Sequence, residues 1–284
     1  MAAMEIEQPL HGGLAEGRVV RVGGTVRRPA GPWTAGVHAL LRHVRSKGFP
    51  APEPLGLDDE GREIVGFVEG EAGNWPWPAA LLSERGPAQV GARLAALHAA
   101  VADFTAPEDA VWRLGPPRPG PGEIVLHGDF GPYNLIWRHG ALAGVIDWDL
   151  AHPGPPIEDA AFAAIHCVPL RTDEAAAQVG FAAPPDRRAR LADFARAYGR
   201  FSPAQLVAGA LALMVKNLAV MRRLGGDGLE PWAGWLRRGL AEREEADLTW
   251  LRDAAGSLGG VSITTGIAGN RRLPHPGPAG RPSP

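Results

Sequence analysis

Residues 124–150, IVLHGDFGPYNLIWRHGALAGVIDWDL, constrain the fold of this chain more than any other stretch. Two apolar runs, Ile124–Leu126 and Val145–Ile146, each end in polar side chains, and LIW and AGVID flank the turn sequence RHGAL. This pattern predicts a β-hairpin. Because the residue before one strand of an antiparallel pair lies beside the residue after the other, Asn134 and Asp147 are expected to meet at the open end of the hairpin.

The polar residues of this hairpin suit metal binding and proton transfer. The oxygens of Asn134 and Asp147 are hard ligands of the kind that Mg²⁺ prefers, with waters and substrate phosphates completing its shell. Asp129 lies in the loop just upstream and is free to act as a base. The spacing HGD-x-x-x-x-N matches the H-R-D-x-x-x-x-N pattern of phosphoryl-transfer enzymes, with glycine in place of arginine, and Asp147 supplies the later metal-binding aspartate.

Length and composition exclude several classes of protein. The chain has 284 residues, of which 45% are hydrophobic, so it can bury the core of one large domain or of two lobes. With a formal net charge of -2 and scattered arginines, no nucleic-acid partner is expected. The single Cys167 excludes an internal disulfide and fits a reducing compartment. No run approaches the roughly 18 apolar residues of a membrane span, and the first residues lack a signal-peptide pattern, so we expect a cytoplasmic protein with no membrane partner.

Strand signals cluster early in the chain and helix signals late. RVVRVG and TVRRP predict a hairpin across Gly23 and Gly24, and EPLGLDDEGREIVGFVEG predicts two further strands. Between them, an amphipathic helix is predicted that Thr34 caps and that stops at Gly48. Further helices are predicted at 87–104, 157–167, 186–199, 203–224 and 229–254. We therefore predict an α+β chain with a small β-rich part at 1–70, a mainly helical part at 71–258 and a disordered tail at 259–284.

LHGDFGPYNLIW, followed by VIDWD and PGPPIEDAA, is similar to the aminoglycoside phosphotransferase family. These enzymes are small-molecule relatives of the protein kinases and also resemble choline and homoserine kinases. The resemblance extends from about residue 12 to the helices near 224. It implies a two-lobed protein-kinase-like fold with the active site between the lobes. It also implies Mg²⁺- and ATP-dependent transfer of the γ-phosphoryl group, with GTP as the alternative nucleotide, to a hydroxyl of an aminoglycoside or another small polar molecule.

The resemblance assigns roles to the residues around the hairpin. Asp129 would be the catalytic base, and Asn134 and Asp147 would hold Mg²⁺. Three further residues would have supporting roles. His127 would brace the loop, and Asp159 would be structural. Asp149 would be either a metal or substrate contact or a turn residue.

In the N-lobe, the resemblance assigns the nucleotide contacts. Gly12 and Gly13 match the loop over the phosphates, although adjacent glycines also mark plain turns. Arg28, or alternatively Arg27, stands where kinases place a lysine. Phe67, Val68 and Glu69 would form the hinge whose backbone contacts the adenine. The helix position that is usually glutamate falls near Val37 or His38, so the usual ion pair is predicted to be missing.

Two other classes of function stay open on the sequence alone. Asp147-Trp148-Asp149 resembles the D-x-D element of glycosyltransferases, which would require alternating strands and helices upstream, where residues 80–105 instead read as one helix. A pseudokinase that only binds a nucleotide or ligand would explain the unusual N-lobe. The acceptor and the oligomeric state are not determined, although acids such as Asp149, Glu158 and Asp173 could attract a cationic aminosugar.

Overall fold

The computed structural model describes residues 6–10 and 18–259. Gly12 and Gly13 of the predicted phosphate loop, and the predicted tail from residue 260 onward, lie outside the described residues. Gly259, which was assigned to the tail, is the last residue of a helix. The two-lobed α+β architecture is confirmed, with a small β-rich N-lobe and a larger helical C-lobe. The residue at which the lobes divide stays a prediction.

The N-lobe is a five-stranded antiparallel sheet with one helix. The strand order is β1-β2-β3-β5-β4. Its elements are β1 (Glu7–Pro9), β2 (Val20–Val22), β3 (Thr25–Arg28), α1 (Thr34–Ser46), β4 (Pro54–Leu57) and β5 (Glu63–Gly66). Val22 pairs with Thr25, which leaves Gly23 and Gly24 as the predicted two-residue turn. Val37, Leu40, Leu41 and Val44 of α1 recur at helical spacing and are all buried.

Two predicted details of the N-lobe are wrong. The second strand of EPLGLDDEGREIVGFVEG was expected to include Phe67 and Val68, but β5 ends at Gly66. The Phe67 N–H still donates to Gly24 O at 2.9 Å, one residue beyond the last pair of β3 and β5. Thr34 was expected to cap α1. It is instead the first residue of the helix, and its hydroxyl accepts a 2.9 Å hydrogen bond from the Gly31 N–H.

The C-lobe contains the remaining helices and two small sheets of short strands. Its helices are α2 (Ala79–Leu82), α3 (Gly86–Ala100), α4 (Ile157–Cys167), α5 (Asp173–Gln178), α6 (Arg187–Tyr198), α7 (Pro203–Gly226), α8 (Trp232–Arg237) and α9 (Leu240–Gly259). The helix predicted at 229–254 is two helices, since Gly239 adopts a left-handed φ of 72° between α8 and α9. Helices α2 and α3 fill the stretch in which the glycosyltransferase alternative required alternating strands and helices, so that alternative loses its structural basis.

Helix α7 contradicts the expectation that no segment is apolar and long enough to cross a membrane. It meets that criterion by length and composition. However, α7 packs against α4, α8 and α9, and Leu206, Ala210 and Leu213 on it are buried. Core helices of globular proteins pass the same test, so the criterion is weak evidence for a membrane span.

The predicted hairpin forms and is extended by a third strand. Its strands are β6 (Glu71–Ala72), β8 (Leu135–Arg138) and β9 (Ala141–Val145), in the order β6-β8-β9. Leu135 pairs with Val145, and the Ile146 N–H donates to Asn134 O at 2.9 Å. The apolar run β7 (Ile124–Leu126) pairs instead with β10 (His152–Gly154). The loop from 127 to 134 therefore begins at one small sheet and ends at another.

Candidate active site

His127 fixes the start of this loop from a fully buried position. Its Nδ1 accepts from the Asp129 N–H at 3.3 Å, so its Nε2 carries the proton and donates to Ile146 O at 3.1 Å. The ring packs edge-on against Phe130 and tilted against Trp148. His127 thus links the loop to Ile146, which lies between the end of β9 and Asp147.

Asp159, near the start of α4, lies beneath the same loop. Its carboxylate accepts from the backbone N–H groups of His127 at 2.8 Å and Gly128 at 2.9 Å, and it meets His98 Nε2 at 3.3 Å. Burial would raise the pKa of Asp159, but the hydrogen bond from His98 and the one from the His127 backbone lower it below its ordinary value. An ionised, buried carboxylate therefore holds two consecutive backbone groups of the loop.

The carboxylate of Asp129 accepts hydrogen bonds from two side chains of the same loop. Oδ1 accepts from the Tyr133 hydroxyl at 2.6 Å, and Oδ2 accepts from Asn134 Nδ2 at 3.0 Å. Burial raises the pKa of Asp129 above its ordinary value, and the hydrogen bonds from Tyr133 and Asn134 oppose that rise. The arrangement suits a general base that is oriented by two donors.

Asn134 and Asp147 lie together at the open end of the hairpin, as the antiparallel pairing predicts. The Asn134 amide nitrogen donates to Asp129 O and Oδ2, which turns the amide oxygen to the opposite side. Asp147 has a left-handed φ of 59°, which is uncommon outside glycine, and its side chain is 47% exposed. Strain of this kind is often found at functional sites.

The oxygens of Asn134 and Asp147 fit a magnesium ion. In the described parts of the chain, no cluster of three or more His, Cys, Asp or Glu residues could hold a metal. A site with two protein ligands matches the habit of Mg²⁺, which takes its other ligands from water and substrate phosphates. When bound, the ion would neutralise phosphate charge.

Arg28, at the end of β3, crosses from the N-lobe to this hairpin. Its Nη1 donates to Asp147 Oδ1 at 2.9 Å, and its Nη2 meets Asp149 Oδ1 at 2.8 Å. The alternative candidate Arg27 points to Asp58 at 3.8 Å. Arg28 is therefore the arginine of this strand that reaches the residues around Asp147.

The usual pair with a helix glutamate is missing, as predicted, but Arg28 pairs instead with an acid from a strand. Arg28 Nε pairs with Glu63 on β5, and Glu63 Oε1 lies 2.8 Å from His38 Nε2 on α1. At the helix position near which the glutamate would stand, His38 contacts Glu63 directly and so supports Arg28 indirectly. Sequence reasoning missed Glu63, whose signal was an acid at an inward position of an apolar strand, opposite Arg28.

Asp149 and two other acids are already paired with cations. Asp149 contacts Arg28, Glu158 contacts Lys216 at 3.1 Å, and Asp173 contacts Arg187 at 2.7 Å. That these acids attract a cationic aminosugar stays a prediction.

The predicted hinge connects β5 to β6 and so joins the two lobes. Glu69 pairs with Arg21 at 2.8 Å, and Arg21 also stacks over Phe67 at 3.8 Å from the ring centroid. Because the Phe67 N–H is engaged with Gly24 O, the backbone groups of Val68 and Glu69 are the better candidates to contact a base.

The candidate site coincides with a family match. Residues 101–194 match the model of the phosphotransferase enzyme family. Over 141 residues, 48% of this chain, the sequence is 42% identical to the trifolitoxin immunity protein of Rhizobium leguminosarum bv. trifolii. The match covers 52% of that relative, so the chain spans about half the length of the curated relative.

Solved structures with low sequence identity share the fold. A choline/ethanolamine kinase family protein from Mesorhizobium loti aligns with a TM-score of 0.56 and 15% identity, over 89% of this chain and 94% of that one. A thermostable mutant of aminoglycoside phosphotransferase APH(4)-Ia, in a ternary complex with AMP-PNP and hygromycin B, aligns with a TM-score of 0.50 and 17% identity, over 86% and 94%. The resemblance of this chain to the aminoglycoside phosphotransferase family is therefore confirmed, by the match of residues 101–194 in sequence and by the kinase-like fold of the whole.

Proposed function

We propose that this protein transfers the γ-phosphoryl group of ATP, with Mg²⁺, to a hydroxyl of a small polar molecule. The observation that carries the proposal is the convergence of Asp129, Asn134 and Asp147 at one end of the hairpin. Phosphoryl transfer needs positioning and charge neutralisation more than covalent help, so a few fixed oxygens and one base suffice.

In the proposed reaction, the acceptor hydroxyl approaches Asp129 from the exposed side of the loop. A bond forms between the acceptor oxygen and the γ-phosphorus, while the bond from that phosphorus to the bridging oxygen of ADP breaks. The hydroxyl proton passes to the Asp129 carboxylate. Arg28 reaches the same space from the N-lobe and supplies positive charge for the nucleotide phosphates.

The comparisons support the choice of nucleotide and of acceptor candidates. The APH(4)-Ia complex contains AMP-PNP and hygromycin B, which makes a nucleotide and an aminoglycoside reasonable first ligands to test here. The relative with 42% identity is named an immunity protein, so trifolitoxin belongs among the acceptors as well. The reducing compartment that the lone Cys167 suits makes the cytoplasm the proposed location.

The test is ADP release by the purified full chain with Mg·ATP, and separately GDP release with Mg·GTP. The acceptor panel is aminoglycosides, choline, homoserine, aminosugars and trifolitoxin. Asp129→Asn is the control. We expect a signal that depends on one acceptor class and that the control abolishes. Binding of Mg·ATP without turnover on any acceptor would favour the pseudokinase alternative, and failure to bind either nucleotide would overturn the proposal.

A further inference from the structure

Arg28 is held by an acid that faces it across the N-lobe sheet. Arg28 on β3 and Glu63 on β5 are direct partners in the antiparallel register. The Glu63 side chain is only 1% exposed, and one carboxylate oxygen pairs with Arg28 Nε. The other carboxylate oxygen lies 2.8 Å from His38 Nε2, which comes from α1. Both oxygens of this buried carboxylate are thus in use.

The Arg28–Glu63 pair is charged despite its burial. Burial alone would raise the pKa of Glu63, but the hydrogen bond from His38 and the charge of Arg28 lower it below the ordinary value. Burial would likewise lower the pKa of Arg28, but Asp149, Glu63 and Asp147 raise it. Removing one member of such a buried pair leaves the other without compensation.

The contact with Glu63 sets the direction of the guanidinium plane. With Nε paired to Glu63, the two terminal nitrogens reach Asp147 at 2.9 Å and Asp149 at 2.8 Å. A guanidinium is a planar fork, so its orientation decides whether it can bind a phosphate through two nitrogens. An ammonium would not need this control, since its charge is nearly spherical.

We propose that Glu63 and His38 are positioning residues that aim the terminal nitrogens of Arg28 at the nucleotide phosphates. The inference rests on the proposed function. His38 contacts Glu63, Glu63 pairs with Arg28, and the terminal nitrogens of Arg28 reach Asp147 and Asp149, beside which bound phosphates would lie. A lysine with a helix glutamate would need no strand acid, whereas an arginine at this position needs one to fix its plane. Pre-organising the fork lowers the entropy that phosphate binding would otherwise cost.

The test separates this role from a purely structural buried ion pair. Binding of Mg·ATP and of adenosine to the full-length variants is measured by calorimetry, and thermal unfolding of the free proteins is recorded in parallel. For Glu63→Gln we expect about a tenfold or larger loss of affinity for Mg·ATP, with adenosine affinity unchanged. The matched control is Asp58→Asn, because Asp58 pairs with Arg27, the neighbour of Arg28 on β3. It should leave both affinities unchanged.

Two further variants keep the test decisive if Glu63→Gln does not fold. His38→Gln retains a nitrogen that can donate to Glu63 and should keep the affinity for Mg·ATP, whereas His38→Leu should lose it. The double variant Arg28→Ala with His38→Leu should bind no more weakly than Arg28→Ala alone, because His38 acts through Arg28.

The outcomes separate the two proposals. If the parent chain binds Mg·ATP and the Glu63 or His38 variants bind it equally well, the positioning role is overturned while the phosphotransferase proposal stands. Equal losses for Mg·ATP and adenosine would assign the pair a structural role only. If the parent chain binds no nucleotide, both proposals fail.

Discussion

The hydroxyl of Tyr133 donates a 2.6 Å hydrogen bond to Oδ1 of Asp129, four residues earlier in the same loop. Gly131 makes this contact possible. A Cβ atom at Gly131 would lie 2.8 Å from the Tyr133 ring and 3.0 Å from its hydroxyl, although the Gly131 backbone itself is ordinary extended chain. The Tyr133 ring therefore folds back over a residue without a side chain and reaches the candidate base, while 40% of Tyr133 stays exposed.

The hydrogen bond from Tyr133 opposes the effect of burial on Asp129, so removing it should change the pH profile. In Tyr133→Phe, the carboxylate loses a donor and the pKa of Asp129 rises further above its ordinary value. A base must be deprotonated to act, so activity should be lost at a higher pH on the acidic side than in the parent. The measurement is kcat/KM against pH for both proteins with the acceptor found by the panel. An unchanged acidic limb would show that Tyr133 does not tune Asp129.

Substitutions at Asp147 and Asp129 should affect different properties of the protein, namely nucleotide affinity and turnover. Asp147→Ala removes an oxygen assigned to Mg²⁺, so we expect Mg·ATP to bind about ten- to a hundredfold more weakly, with a smaller change for ATP in the presence of EDTA. Asp129→Asn should bind Mg·ATP almost normally and lose turnover by about two to four orders of magnitude. Titrations with and without Mg²⁺ test the first expectation. An equal loss in both conditions would remove Asp147 from the metal site.

Gly128 should tolerate alanine much less well than Gly140 does. Both glycines have a left-handed φ, 79° and 77°, so alanine at either position carries a strain of about 1–2 kcal/mol. At Gly140 a Cβ meets nothing within 4 Å, whereas at Gly128 it would collide with the backbone oxygen of Leu150. We therefore expect Gly128→Ala to lower the free energy of unfolding by clearly more than Gly140→Ala. Urea denaturation of the two variants gives the comparison, and equal losses would contradict the packing described for the loop.

Asp159 should make the stability of the protein depend on pH. The pKa of Asp159 in the folded state is below its ordinary value. Its contribution to the free energy of unfolding is therefore fully present above the pKa of the unfolded chain and is lost as the pH falls through the folded-state pKa. Asp159→Asn should cost about 2–4 kcal/mol near pH 7, because the charged acceptor for two backbone N–H groups is gone. The variant should also lose less stability than the parent on acidification. Thermal unfolding from pH 7 to pH 3 measures both effects, and parallel curves would refute the assignment.

The sequence by itself determined the elements that depend on local signals. The Gly23-Gly24 turn, the apolar spacing of α1 and the alternation around RHGAL predicted the hairpins and the helix, because turn chemistry and side-chain period act over a few residues. The same local pairing predicted that Asn134 and Asp147 would lie together at the open end of the hairpin. The break between α8 and α9 depended on the left-handed conformation of Gly239, which periodicity does not encode.

Only the tertiary structure decided how the N-lobe serves this site. Arg28 and Glu63 are 35 residues apart, and Arg28 and Asp147 are 119 apart, so no local pattern links them. The strand register of β3 and β5 places Glu63 opposite Arg28, and the packing of α1 brings His38 to the same carboxylate. A buried charge requires a partner, but the sequence does not say which of several acids will supply it. Here the pairing of β3 with β5 places Glu63 opposite Arg28. A strand glutamate that contacts a histidine therefore pairs with Arg28 in place of the usual helix glutamate.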